Sequence, residues 1–279
     1  MFDNLIKEVS KVVVGNENKI KLTLAAILSE GSVLIEDNPG SGKTTFAKAI
    51  TLNLGLGFKR IQFTSDLLPS DILGFNIFKN EELTFQKGPI FTNIVLADEL
   101  NRGSPKSQSA FLEAMEEKNV SIDGSTYKLP EPFFVIATQN PHEQHGTYPL
   151  PEAQLDRFTM KLSVGYPAAD YETAMLAASV KNESTLTESD PPAILAAGEL
   201  EQIQNTVSET RVGDNVQRYL VALATASRNH SDIDAGLSPR GLLLWQRAAQ
   251  ATAHLAGRDF VTPDDVQQVA FPVLAVRLD

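Results

Sequence analysis

The first 165 positions alternate short apolar runs with stretches of helical spacing. Val33 to Glu36, Phe58 to Thr64, Ile94 to Ala97 and Phe133 to Thr138 read as strands, and residues 159–164 offer a fifth. Asn16 is placed to cap a helix running to about Glu30, with Ile20, Leu24, Ile27 and Leu28 on one face and Gly31 as its stop. Lys43 to Asn53 reads as a helix closed by Gly55, and Ser104-Pro105 opens another that runs to about Lys118. Strand and helix in alternation predict an α/β fold with a mainly parallel sheet flanked by helices.

Two polar-tipped hairpins interrupt this plan. Phe75–Phe78 and Leu83–Gln86 flank one, and Val120–Ile122 and Tyr127–Leu129 flank Asp123-Gly124, a strong turn pair. By periodicity alone both are equally well ordinary surface hairpins. From Tyr166-Pro167 the strand pattern gives way to helical spacing, which sets the expected division into residues 1–165 and a smaller all-helical domain, 166–279. Lys181 to Pro192 reads as a polar connector, followed by helices over Ala197–Glu209, around Val212 to Leu223, from Ser238-Pro239 to Gly257, and from the capping sequence Thr262-Pro263-Asp264-Asp265.

Composition narrows the chemistry. The 279 residues carry no cysteine, which removes disulfides and cysteine-ligated metals, and the net charge of −11 disfavours general affinity for nucleic acid or anionic membrane. The start, MFDNLIKEVSK, has neither a long apolar run nor a cleavage-like site, and no stretch is apolar enough to span a bilayer. The expectation is a soluble protein of the cytoplasm.

The chemistry concentrates in VLIEDNPGSGKTT, Val33 to Thr45, where a glycine-bearing turn joins a buried strand to a helix. Such a turn holds a nucleotide triphosphate. The backbone from Asn38 and Pro39 through Gly40, Ser41 and Gly42 can approach phosphate oxygens, Lys43 supplies a cation, Thr44 a hydroxyl for magnesium, and Thr45 continues the helix start. One departure stands out: the usual first glycine is Asp37. Its charge beside phosphate is unfavourable unless the carboxylate points away. About 55 residues on, the apolar strand ending in Asp98 and Glu99 supplies a magnesium carboxylate and a group able to polarise water. Asn140, just past the fourth strand, can orient that water or touch the terminal phosphate. His142 and His145 sit in a loop with no helix to fix their geometry, so a structural or solvent role is expected of them rather than a metal.

The order and spacing of GSGKTT, NIVLADELNRGSPKSQSAFLEAMEE, FFVIATQNP, YPLPEAQLDRF and LSPRGLL resemble those of the MoxR family of AAA+ ATPases over nearly the whole chain. The resemblance implies a P-loop NTPase core followed by a helical lid. It also implies that Val13, Val14 and Gly15 line the adenine pocket and that Asn140 senses phosphate. Arg240 becomes the lid-borne sensor arginine that couples the lid to the terminal phosphate, and Arg157 the finger that reaches a neighbour's nucleotide, with Arg102 a second candidate for inter-subunit contact. The hairpins then resemble inserts that can face a ring's central channel. The implied function is ATP- and Mg2+-dependent remodelling or maturation of a protein client by a ring, a hexamer by family expectation, with partners that often carry a von Willebrand factor A domain. A switch or scaffold with little turnover, a chelatase-type motor subunit and, less in keeping with the charge, a nucleic-acid motor are the alternatives. Family members commonly continue past the last helix found here, before Leu278-Asp279.

Overall fold

The computed structural model describes residues 2–13, 15–38, 40–79, 82–141, 146–165, 172, 173, 176, 194–196 and 198–278. Val14, Pro39, His142, His145, the Tyr166-Pro167 boundary and the connector Lys181 to Pro192 lie outside the described residues. Five parallel strands form the central sheet in the order β2-β5-β8-β1-β9: β1 is Val33–Glu36, β2 Phe58–Gln62, β5 Ile94–Asp98, β8 Phe134–Gln139 and β9 Met160–Leu162. The three inner strands, β5, β8 and β1, are apolar almost throughout because both faces are covered, as a parallel sheet between helices requires, whereas the edge strand β2 carries exposed Lys59 and Arg60.

Alternation along each strand sends residues to opposite faces. Val33, Ile35, Leu96 and Ile136 join a core with α1 (Phe2–Val12), α2 (Glu17–Leu28) and α3 (Lys43–Leu54), while Leu34, Val95, Ala97 and Val135 join a second with α5 (Pro105–Glu117). The first core runs on into α7 (Glu199–Ser208), α8 (Asp214–Asn229) and α9 (Pro239–Leu255). The helical lid is thus packed on the α1–α3 face. Gln204 Nε2 donates to the Ile27 carbonyl at 2.7 Å and the Ile194 amide to the Asn53 carbonyl at 2.8 Å across this contact. At the lid's centre Trp245 is 1% exposed, and its indole N–H donates to the Val266 carbonyl at 2.9 Å.

Both hairpins form. β3 (Gly74–Lys79) pairs with β4 (Glu82–Lys87), preceded by a short α4 (Pro69–Leu73), and β6 (Asn119–Ile122) pairs with β7 (Ser125–Lys128). Asp123 and Gly124, at φ 49° and 81°, supply the two left-handed positions that a tight two-residue hairpin needs. The hairpins lean on each other. Phe85 stacks on Tyr127 with ring centroids 4.1 Å apart, and Asn76 donates to Asp123 at 2.7 Å.

Some boundaries differ from the sequence reading. Asn16 precedes α2 but its side chain makes no capping bond. The left-handed residue after that helix is Glu30, φ 56°, and Gly31 is needed for another reason: a Cβ there would lie 1.9 Å from Thr159 Oγ1. β2 stops at Gln62, since Phe63 turns into the core. The final segment makes two helices, α10 (Pro263–Gln268) and α11 (Ala270–Leu274), and Glu152–Leu155 forms a short α6. Among the described residues, no helix is long and apolar enough to cross a membrane.

Candidate functional site

In a parallel sheet all strands deliver their C-terminal ends to one edge, and the loops leaving that edge bind ligands. Here β1 delivers the phosphate loop, β5 delivers Asp98 and Glu99, and β8, paired between them, delivers Asn140. The Asp37 amide donates to the Gln139 carbonyl at 3.3 Å, so the loop starts beside Asn140. Gly40 and Gly42 have φ of 80° and 84°, backbone conformations that only glycine adopts without strain. Lys43 Nζ lies over the loop, donating to the carbonyls of Asp37 and Asn38 at 2.7 and 3.3 Å. Ser41 Oγ is buried with no partner among the described residues. Thr44 and Thr45 are half-buried in the first turn of α3. Val13 and Gly15 lie in the turn between α1 and α2, and α1 packs along α3.

Asp37 turns its carboxylate away from the loop. It accepts from Ser163 Oγ at 2.7 Å, the Val164 amide at 2.5 Å and the Gly165 amide at 3.3 Å, so it ties the loop to the chain leaving β9. Lys19, bonded to the Val164 carbonyl, completes the junction; burial lowers its pKa and the Asp37 carboxylate opposes that shift. A glycine at 37 would leave those amides without their acceptor.

The acidic pair is held from several sides. Thr138 Oγ1 donates to Asp98 Oδ1 at 2.6 Å and accepts from the Glu99 amide at 2.9 Å, which fastens both residues to β8. Arg60 on β2 donates to Asp98 Oδ2 from Nε at 2.9 Å and Nη2 at 2.6 Å. Glu99 sits at φ 55°, an uncommon left-handed placement for a non-glycine residue. Its carboxylate accepts from Gln62 Nε2 at 2.7 Å and lies 3.4 Å from Arg102 Nη1. Arg102 therefore stands at the acidic residues. Thr138, Arg60 and Gln62 were not singled out from the sequence; the hint there is that Thr138 and Gln62 are polar residues near the ends of strands, while Arg60 reads as surface charge in mid-strand.

The other two arginines lie elsewhere. Arg157 Nε is 3.0 Å from Glu116 Oε2, and Arg240 Nη2 bonds the other oxygen of the same carboxylate. They face a cavity of about 180 Å3 lined also by Gly31, Ser32 and Lys118. Ser32 precedes β1 and the phosphate loop follows it, so the length of that strand, about 13 Å at 3.3 Å per residue, separates the arginines from this protomer's own loop. Arg240, expected to couple the lid to the terminal phosphate, stands here at the opposite edge of the sheet, beside Glu116. The reason is the anchoring of α9: Ser238 Oγ accepts from the Gly241 amide at 2.9 Å and donates to Asp156 at 2.8 Å, which docks the start of that helix beside Arg157. Arg277, with a side chain only 3% exposed, reinforces the dock by donating to Asp156 Oδ1 at 2.8 Å and to the Phe158 carbonyl at 2.6 Å. Burial lowers the pKa of Arg277, Asp156 opposes the shift, and nearby Arg240 adds to it.

Comparison with known proteins agrees with this geometry. Residues 32–160 match the model of the ATPase family associated with various cellular activities (AAA), and residues 225–279 match the AAA lid domain. YeaC of Bacillus subtilis, itself uncharacterised, is 48% identical over 95% of this chain and 82% of its own length. Chaperone MoxR1 of Mycobacterium tuberculosis is 39% identical over 99% of this chain and 75% of its own, and protein MoxR of Paracoccus denitrificans is 32% identical over 96% and 85%. A crystal structure of a protein assigned as an ATPase from Cytophaga hutchinsonii superposes with a TM-score of 0.89 at 38% identity, covering 99% of this chain and 86% of that one. With a parallel five-stranded core, a phosphate loop at its C-terminal edge and a helical lid behind it, this chain belongs to the MoxR family of AAA+ ATPases.

Proposed function

We propose that the protein hydrolyses ATP at sites shared between neighbouring copies in a ring, and that the resulting motion remodels or matures a protein client. The observation that carries this reading is the split between the two edges of the sheet. Lys43, Asp98, Glu99 and Asn140 gather at one edge, whereas Arg157 and Arg240 stand at the other, beside Glu116, which supports a role for them at a neighbour's phosphates.

Within one protomer the loop from Asn38 to Thr45, through the backbone N–H groups of its non-proline residues, and the Lys43 ammonium hold the phosphates, and Val13 to Gly15 border the base. Glu99 polarises the attacking water, and Asn140 orients it. Thr44 and Asp98 are hard oxygen donors of the kind magnesium prefers, and the nearly buried Asp98 carboxylate fits that ion. When bound, Mg2+ would neutralise charge on the phosphates. Arg157 and Arg240 complete the neighbouring site.

The division into a nucleotide-binding unit, residues 1–165, and a lid, residues 166–279, belongs to the same reading, as do a six-membered ring, a cytoplasmic setting and a partner with a von Willebrand factor A domain. A relative named as a chaperone supports a protein client. The mutually braced hairpins offer the client a surface: Phe78 and Leu83, directly paired across the strands, are 74% and 71% exposed.

The test is ATP turnover per protomer against protein concentration, with Glu99→Gln in parallel. Turnover is expected to rise as subunits associate and to fall by about 10²- to 10⁴-fold in the variant while ATP binding persists. A flat profile down to the monomer refutes the shared site. Equal, negligible turnover of wild type and variant, both binding ATP, replaces the motor with a nucleotide switch.

A further inference from the structure

Asp98 carries a carboxylate whose side chain is only 9% exposed, and so little water reaches it that its charge needs a partner. That partner is Arg60. The residue sits on β2, two positions before Gln62, which is in register with Asp98. Residues two apart on a strand share a face, so Arg60 reaches along its own strand toward the acidic pair. Two of its nitrogens converge on Asp98 Oδ2, and Nη2 also bonds Gln62 Oε1. The amide of Gln62, oriented by that bond, is the one that donates to Glu99. One guanidinium thus holds Asp98 directly and Glu99 through Gln62.

We propose that Arg60 is a positioning residue that acts as the resident cation of the acidic pair, and that magnesium-bearing nucleotide binds in competition with it. This rests on the reading of Asp98 as the magnesium carboxylate. Thr138 already takes Oδ1, which leaves Oδ2 as the oxygen open to a hydrated ion, and Oδ2 is the atom Arg60 covers. A second cation at that oxygen would repel the guanidinium. Arg60 can yield because its side chain is 47% exposed and its long stem can carry the charge into solvent. Its exposure also limits the effect, since pairs of this kind are worth about 1 kcal/mol or less, a factor of roughly 5 in an equilibrium.

The experiment titrates Mg2+ into protein with a fluorescent ATP analogue, starting from excess chelator, and reads anisotropy rather than turnover. Arg60→Gln is expected to reach half-saturation at about 2- to 5-fold lower Mg2+ than wild type, with affinity for the metal-free analogue changed less than about 2-fold. Arg60→Lys, which keeps the charge but loses the two-pronged contact, is expected to fall between them and guards against a folding defect in the first variant. Gln62→Leu leaves the Arg60–Asp98 pair in place and is expected not to move the midpoint. Equal midpoints, or a higher one in Arg60→Gln, overturn the competition. A wild type that binds the analogue tightly but with no magnesium dependence also overturns it, while failure to bind the analogue at all overturns the nucleotide-site reading beneath it.

Discussion

At the C-terminal edge of the sheet each candidate group is delivered by the strand it follows, whereas at the N-terminal edge Glu116, Arg157, Arg240 and Arg277 arrive from four separated parts of the chain. The first edge is set by strand register and by Thr138, one hydroxyl that bridges both acids. The second is set by ion pairs that span the core and the lid. The groups placed by register are brought together within one copy. On the proposed reading, a cationic cluster neutralised by its own carboxylates has to exchange partners before it can meet a neighbour's phosphate.

That contrast is open to direct attack. On the proposed reading, Arg157→Ala loses about 10³-fold in turnover without weakening ATP binding. Mixing it with Glu99→Gln is expected to restore part of the activity, because a mixed interface pairs an intact Glu99 with an intact Arg157; no recovery breaks the division of labour between the edges. Asp37→Gly is expected to cost about 2 kcal/mol of unfolding free energy, for the buried amides it leaves unpaired, read from urea midpoints. A variant as stable as wild type would show that the contacts to Ser163, Val164 and Gly165 contribute nothing. Glu116→Gln frees both arginines in advance, so the protomer concentration giving half-maximal turnover should fall by about 5-fold; an unchanged midpoint means that Glu116 does not compete with the neighbour.

The smallest effect lies in the lid. Burial pushes the Asp265 carboxyl up, but hydrogen bonds from Arg258 and Thr262 outweigh it and hold the pKa below the ordinary carboxylate value. A folded-state pKa below the unfolded one gives stability that is present above the unfolded value, about 3.9, and is lost as pH falls through the folded one. Asp265→Asn should therefore lower the melting temperature by a few degrees near neutral pH, about 4 °C at most, and the gap should close in acid. A gap that persists at the lowest pH assigns the effect to something other than charge.

Much of the C-terminal edge was legible because its chemistry follows local rules. Apolar runs fixed β1, β5 and β8, and the residues that end them followed directly. Asp37 was recognised as a departure but not explained, since its acceptors lie more than a hundred positions away. The amphipathic stripe of α1, Leu5, Ile6 and Val9, is present in the sequence but spans little more than one helical turn, too short to mark a helix without its packing partners. The position of Arg240 was not readable at all. It depends on Ser238 meeting Asp156, a contact between two loops that no spacing announces. Arg60 escaped for a similar reason: on an edge strand with Lys59 beside it, it reads as solvent-facing charge, and only the pairing of β2 with β5 turns it inward.

Trp245 is the chain's single tryptophan, and it lies in the lid with its indole clasped to α10. Emission excited at the red edge of the absorption band, where the five tyrosines do not absorb, is therefore addressed to one spot. A red shift registers loosening of the lid while the sheet and its phosphate loop stay spectroscopically silent, so the lid can be melted, trapped or tugged by a client and watched in unlabelled protein.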